Sequence, residues 1–142
     1  MQGDASPATD HVARHCRKND LHWTGTIADG VLECAFLPRR NEDDGLSATW
    51  LEFFKGTRQQ NMAEVRKHIG LTPTASNRLA VLNVRKIESA GKAHSAAGLR
   101  VTEEPDPTNP AHALIKEAAT LADLTLREAL AATVQPSDIE TY

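Results

Sequence analysis

Short apolar runs in the first half of the chain predict β-strands. Residues 11–16 alternate in a way that fits a short strand, although one helical turn also fits them. Two apolar runs, 21–27 and 31–37, flank Asp29-Gly30, and Asp-Gly between such runs is a strong signal for a β-hairpin. Residues 46–54 are rich in aromatic and apolar side chains and predict the next strand.

The pattern changes to a helical period in the middle of the chain. Thr57 followed by Gln60 is a capping-box signature, which marks the start of a helix. Apolar residues then recur at 62, 65 and 69, and Gly70 suits the C-cap. The sequence therefore predicts a helix that ends at about Ile69.

The second half predicts more strand and then helix. Residues 79–87 predict a strand, and both of its faces are largely apolar over 79–84, which is typical of a central strand. Residues 99–102 predict a short strand after a loop at 89–98. Asn109-Pro110 is a helix-start signal and predicts a helix over 110–122. Thr125 with Glu128 repeats the capping box and predicts a last helix to about 134.

These elements predict an α+β fold, an antiparallel meander of four to six strands with one central helix and two C-terminal helices. Residues 1–9, rich in small and polar side chains, predict a disordered tail before a single domain at 10–142. Both tryptophans and all three phenylalanines lie between residues 22 and 54, so the core is expected to form around them. The predicted core residues are Trp23, Leu32, Phe36, Trp50, Phe54, Val65, Ile69, Val81 and Ile115.

Composition and charge limit the cellular compartment and the kinds of partner to be expected for the protein. The chain has 142 residues, two cysteines and a net charge of -3. Two cysteines are too few for a disulfide framework, the first residues do not resemble a secretory signal, and no apolar run approaches the roughly 20 residues of a membrane helix. We therefore expect a cytoplasmic protein without a membrane partner. Residues 1–102 carry a net charge of +3 and residues 103–142 a net charge of -6, which gives the chain a basic and an acidic part.

Histidine and cysteine are concentrated near the N-terminus. The protein is expected to bind no cofactor. Bound zinc is the alternative, because imidazole and thiolate are the ligands that zinc prefers. The sequence lacks the Cys-x-x-Cys spacing of most structural zinc sites, and surface histidines with core cysteines explain the same residues. The zinc candidates are His11, His15, Cys16, His22 and Cys34.

The charged segment 38–45 is the first choice for a functional loop. Paired arginines bind phosphate or carboxylate, and neighbouring carboxylates act as acid, base or cation ligand. A solvated, self-neutralising hairpin tip is the structural alternative. The candidate binding residues are Arg39, Arg40, Glu42, Asp43 and Asp44.

His112 is a further candidate for chemistry. If it lies in the first turn of the predicted helix, the helix N-terminus favours its neutral form, which suits acid–base catalysis. Its alternative role is that of an ordinary exposed histidine. Arg14, Arg17 and Lys18 form a small basic cluster, but a pI near 6.0 and the lack of a DNA-reading helix make nucleic acid the lesser alternative partner.

Four short segments resemble a pattern in small bacterial proteins of unassigned function. They are Asp29-Gly30, Ala35-Phe36-Leu37-Pro38-Arg39, Asp43-Asp44-Gly45-Leu46-Ser47 and Asn109-Pro110-Ala111-His112-Ala113. The resemblance covers roughly residues 10–115. It implies a bacterial origin and a single compact domain, and it transfers no catalytic residue.

Two functional hypotheses follow. The sequence lacks the familiar catalytic motifs of hydrolases, P-loop proteins, dinucleotide-binding proteins and zinc proteases. This absence favours a non-catalytic interaction module, which would serve a larger protein as subunit, adaptor or regulator. Its contact loop would be the charged segment 38–45. The alternative is a small enzyme for a phosphorylated or nucleotide-like substrate, in which Arg39 and Arg40 hold the anion and His112 or Glu42 moves protons.

Overall fold

A computed structural model of the protein describes residues 1–18, 22–23, 30–69, 73–94, 98–117 and 123–142. Its described strands form one antiparallel sheet in the order β4-β5-β2-β1-β3-β6. The predicted α+β class is confirmed, but the meander fits only in part because just two of the five adjacent strand pairs, β1–β2 and β4–β5, are consecutive in sequence. The strands are β1 His11–Cys16, β2 Leu46–Trp50, β3 Arg78–Asn83, β4 Arg100–Glu103, β5 His112–Lys116 and β6 Ile139–Thr141.

Three α-helices lie within the described residues: α1 Arg58–His68, α2 Val84–His94 and α3 Leu124–Ala132. The predicted α1 is confirmed with its capping box, in which the Thr57 hydroxyl accepts from the Gln60 backbone and the Gln60 side chain accepts from the Thr57 backbone. The helix ends with Ile69 as its C-cap, and Gly70 lies outside the described residues. The predicted last helix is also confirmed, but Asp123 caps it instead of Thr125.

The prediction of strand through residue 87 is wrong, and so is that of a loop over 89–94; residues 95–97 lie outside the described part. The chain turns directly from β3 into α2, because the Asn83 side chain accepts a hydrogen bond from the Lys86 backbone and so caps the new helix. Val84, Ile87 and Gly91 are buried at helical spacing. An apolar run this short fits a strand and a buried helix face equally well.

The predicted helix over 110–122 is wrong as well. Asn109 stabilises a turn instead of a helix, because its side chain accepts from the Ala111 backbone and its carbonyl accepts from the His112 backbone. The chain then enters β5, in which Ala113 and Ile115 are buried and their neighbours are half-buried. Asparagine followed by proline is a turn signal as much as a helix signal, and residues 118–122 lie outside the described part.

Two other predicted strands are shortened. Glu33–Phe36 forms a 3-10 helix in place of the second hairpin strand, and Val31 pairs with Trp23 in an isolated bridge. Most of the first hairpin strand lies outside the described residues. The strand predicted over 46–54 ends at Trp50 and continues as the 3-10 helix Leu51–Phe54.

Helices pack on both faces of the sheet. On one face, α2, α3 and the 3-10 helix Glu33–Phe36 cover β-strand residues such as Val12, Leu46 and Ile115. On the other face, α1 covers Ala13 and its neighbours on β3. On this face α1 covers parts of β1 and β3. It leaves β2 and β5 uncovered, and a pocket lies there. None of the helices among the described residues is long and apolar enough to cross a membrane.

Most of the predicted core residues are buried. Four of the nine are only half-buried, namely Leu32, Trp50, Phe54 and Ile69. Trp50 stays near the surface because its indole N–H donates to Asp10. The segment predicted to be a disordered tail lies beside β4, where Ala5 forms a bridge with Thr102. The confirmed core residues are Trp23, Phe36, Val65, Val81 and Ile115.

Candidate functional site

The centre of the candidate site is a buried ion pair between β1 and the charged loop. Arg14 is fully buried, and its two Nη atoms donate to the two carboxylate oxygens of Glu42 at 2.8 and 3.0 Å. The guanidinium also donates to the backbone oxygens of Ala35 and Ser47, at 2.6 and 2.9 Å. Arg14 is therefore held on every side and is not part of a basic patch for nucleic acid.

Glu42 is turned inward, unlike a residue of a solvated hairpin tip. Besides Arg14, its carboxylate accepts from the backbone N–H groups of Arg39 and Ser47 at 2.8 and 2.6 Å. Burial alone raises the pKa of the Glu42 carboxyl, but the hydrogen bonds and charge of Arg14 and the two backbone donors prevail and lower that pKa to about 2. Glu42 is consequently a charged structural anchor and a poor proton carrier near neutral pH.

The side chain of Arg39 is partly buried beside this ion pair. One of its Nη atoms donates to the backbone oxygen of His15 at 2.5 Å and lies 3.0 Å from Nδ1 of His22. Its Nε is buried and has no hydrogen-bond partner among the residues that the structure describes. Burial first, and then the positive charge of Arg14, lower the pKa of Arg39 to about 10. The protein thus holds a second cation in a place that disfavours positive charge.

A pocket of about 240 Å³ opens next to Arg39, on the sheet face that α1 leaves uncovered. Register places Ala13 opposite Thr49 and Thr49 opposite His112, so β1, β2 and β5 form its floor. The charged and polar side chains that concern function are Arg39, Arg40, His15, His68, His112 and Asn109. The carboxylates of Glu42 and Asp106 line the pocket as well. Glu42 is paired with Arg14, so the two arginines outnumber the remaining acid and give the pocket an excess of positive charge.

Two of these histidines are fixed by neighbours in the walls of the pocket. His15 bonds through Nδ1 to the Tyr142 hydroxyl and meets that ring edge-on. His68 donates from Nδ1 to the Glu64 backbone oxygen and stacks on Phe54, with ring centroids 5.4 Å apart. Sequence reasoning did not link His68 or Tyr142 to the site, because only the fold brings α1 and the C-terminus to β1.

His112 opens β5 and does not lie in the first turn of a helix. It lines the pocket together with Arg39 and Arg40, and its Nε2 bonds to the hydroxyl of Ser47 on β2. Ser47 belongs to a segment of the resemblance, but the sequence assigns it no functional role. The structure thus brings together four of the predicted functional residues, Arg39, Arg40, Glu42 and His112, although it gives Glu42 and His112 different settings from those expected.

The two remaining acids of the loop, Asp43 and Asp44, are exposed to solvent, as is Arg40 on the pocket side. Asn109 is buried and its amide donates to the Thr49 hydroxyl at 3.0 Å, which ties the turn before β5 to β2. Asp106, in the same turn, accepts from the backbone N–H groups of Thr108 and Asn109. These contacts hold one wall of the pocket rigid.

The candidate zinc ligands lie in separate environments and have different hydrogen-bond partners. His11 bonds to Glu52, Nδ1 of His22 accepts from the Arg17 backbone, and the Cys34 thiol donates to Glu33. Cys16 points to the sheet face opposite His15 and is fully buried. Within the described ranges, no group of three or more His, Cys, Asp or Glu side chains is arranged to hold a metal ion.

The arrangement can bind an anion and can move a proton. Arginine forks match the oxygens of phosphate or carboxylate, and a histidine bonded to a hydroxyl accepts its proton. Comparisons with protein-family models, with curated protein sequences and with solved structures returned no match. The geometry of the site therefore carries the functional argument.

Proposed function

We propose that the protein binds a small phosphorylated ligand in this pocket, with Arg39 and Arg40 on the phosphate. The observation that carries the proposal is an excess of positive charge. Glu42 neutralises Arg14 inside the ion pair, and no ion pair joins Arg39 to a carboxylate within the described part of the chain. A phosphate in the pocket would supply the missing negative charge.

The energetics favour such a ligand. A partly buried cation without an anionic partner is costly, and charge-assisted hydrogen bonds from a guanidinium to phosphate are among the strong ones. Arg39 is preorganised by its bond to the His15 backbone, so little side-chain entropy is lost when the anion binds. Arg40 is exposed and would complete the grip from the rim.

The size of the pocket limits the ligand. Pockets for drug-sized molecules enclose roughly 300–1,000 Å³, and about 240 Å³ accommodates a phosphate with a small organic group.

Calorimetric titration with inorganic phosphate and with ribose 5-phosphate, at constant ionic strength, tests this function. Arg40→Ala removes an exposed side chain and should weaken binding about 10-fold or more, as expected for a lost charged hydrogen bond. Arg85→Ala, on α2 and away from the pocket lining, is the matched control and should bind as the native protein does. Equal affinity in all three proteins, or no binding at all, would contradict the proposal.

A second candidate function is the interaction module of a larger protein. The observation in its favour is the exposed rim of the charged loop, where Arg40, Asp43 and Asp44 follow Leu37, whose side chain is 45% exposed. Both cysteines are free, which fits a cytoplasmic complex. The double charge reversal Arg40→Glu with Asp43→Lys should weaken a complex isolated from the source organism without lowering the melting temperature. An unchanged complex would exclude this rim as the contact surface.

A further inference from the structure

Ser47 and His112 form a hydrogen-bonded pair that faces the pocket. β2 and β5 run antiparallel with Ser47 opposite Leu114 and Thr49 opposite His112, so Ser47 and His112 are diagonal neighbours on one sheet face. Their Oγ and Nε2 atoms lie 2.7 Å apart. This distance is within the range over which a histidine takes a proton from a serine hydroxyl.

The other ring nitrogen decides the direction of that hydrogen bond. Nδ1 of His112 lies 2.8 Å from the backbone oxygen of Glu104. A carbonyl oxygen only accepts, so Nδ1 carries the hydrogen and, in the neutral ring, Nε2 accepts from the Ser47 hydroxyl. The backbone therefore holds His112 in the tautomer and orientation that a general base requires.

The surroundings suit the charges that would develop during a reaction. Asp106 lines the same pocket, and its negative charge interacts with His112. Arg39 and Arg40 lie on the same pocket and offer donors to a substrate oxyanion. Ser47 itself is exposed, so a substrate reaches its hydroxyl without a change in the fold.

We propose, on the basis of the phosphate-binding function above, that Ser47 is a nucleophile, that His112 is its general base, and that the pair hydrolyses small phosphate esters. Ser47 Oγ attacks phosphorus while its proton moves to Nε2 of His112. The bond from phosphorus to the ester oxygen breaks, and the leaving oxygen takes that proton. Water then attacks the phosphoserine with His112 again as base, which releases phosphate and restores the Ser47 hydroxyl.

A fluorophosphonate probe tests the nucleophile without knowledge of the natural substrate. An activated serine forms an Oγ–P bond with the probe and expels fluoride, and intact mass with peptide mapping locates the adduct. We expect labelling at Ser47 in the native protein and none there in Ser47→Ala. His112→Gln keeps a polar side chain but cannot act as base, so labelling should slow about 100-fold or more. Ser89→Ala, on the exposed side of α2, is the control and should label normally.

Labelling elsewhere, no labelling, or an equal rate in folded His112→Gln would overturn the assignment of the pair. Circular dichroism and thermal melting establish that each variant is folded. If phosphate binds but Ser47 is not labelled, this inference fails while the proposed binding function stands.

Hydrolysis of p-nitrophenyl phosphate tests the choice of substrate class. The native protein should release p-nitrophenolate, Ser47→Ala should not, and Arg40→Ala should turn over more slowly while Ser47 still reacts with the fluorophosphonate. Labelling of Ser47 in a protein that does not hydrolyse p-nitrophenyl phosphate would overturn the phosphate-ester part of the inference.

Discussion

Arg14 and Glu42 form a buried, two-pronged ion pair that fastens the charged loop to β1, with N–O distances of 2.8 and 3.0 Å. Glu42 also accepts from the backbone of Arg39 at the start of the loop and of Ser47 on β2. One carboxylate thus sets the positions of two residues that line the pocket. The stability of the fold and the geometry of the candidate site depend on the same contact.

Glu42→Gln should destabilise the protein strongly. The substitution keeps the shape of the side chain but leaves the Arg14 guanidinium buried without a counter-charge. Breaking a buried pair in this way lowers the free energy of unfolding by about 3–5 kcal/mol. Urea denaturation followed by tryptophan fluorescence measures the change. Asp43→Asn at the exposed neighbouring position is the control, with an expected change within about 0.5 kcal/mol, and similar losses for both variants would refute the structural role of the pair.

Stability should fall in acid because of Glu42. Its pKa is lowered to about 2 in the folded protein from an ordinary value near 4.5, so the unfolded chain binds the extra proton. The stabilisation is fully present above about pH 4.5 and is lost as the pH falls toward 2. Urea midpoints measured across this window should decline less steeply in Glu42→Gln than in the native protein. Parallel curves for the two proteins would show that Glu42 does not carry the acid sensitivity.

Gly91→Ala should destabilise although alanine is the better helix former. A Cβ at position 91 would come within 2.9 Å of Leu99 Cβ and also meet the Leu99 backbone nitrogen. Overpacking of this kind costs about 1–3 kcal/mol and outweighs the roughly 1 kcal/mol gained in helix propensity. Thermal melting of Gly91→Ala and of the exposed Ser89→Ala, which should be neutral or stabilising, separates the two effects. A higher melting temperature for Gly91→Ala would contradict the close approach of α2 to the residues before β4.

Phe36→Ala should cost far more than the neighbouring Leu37→Ala. The Phe36 ring is fully buried among the residues of α3 and the sheet, whereas Leu37 is 45% exposed. Truncation of a buried aromatic costs about 3–5 kcal/mol, while a change at a largely exposed position stays well below that. Chemical denaturation of both variants gives the comparison, and equal losses would mean that Phe36 is not a core residue.

Local signals in the sequence identified several elements correctly. The Thr57 and Gln60 capping box marked the start of α1, and alternation marked β1. The same kind of signal failed at residue 83, where an asparagine at a strand end also caps a helix, and at Asn109, where turn and helix signals coincide. In both places the competing structures have similar local energies, so packing against the sheet decides between them.

The site was less accessible to sequence reasoning than the fold. The residue types of the charged loop and of His112 made both of them candidates. Because they are about 70 positions apart in the chain, the sequence does not show that β2 and β5 bring them together. The sequence predicts Arg14 in a basic surface cluster, because arginine is seldom fully buried unless it is paired. Its place on the same face of the predicted strand as Val12 and Cys16 is the signal that points inward. Its partner Glu42 is 28 residues away and only the fold reveals it.

Nuclear magnetic resonance titration of the ¹⁵N-labelled protein with inorganic phosphate tests the central claim most directly. At constant ionic strength, saturable shifts should be confined to the backbone amides around Arg39, Arg40, Ser47, Asn109 and His112, and they should require higher phosphate concentrations in Arg40→Ala. Shifts that do not saturate, or that map to other parts of the chain, would contradict the assignment of this pocket as a phosphate site.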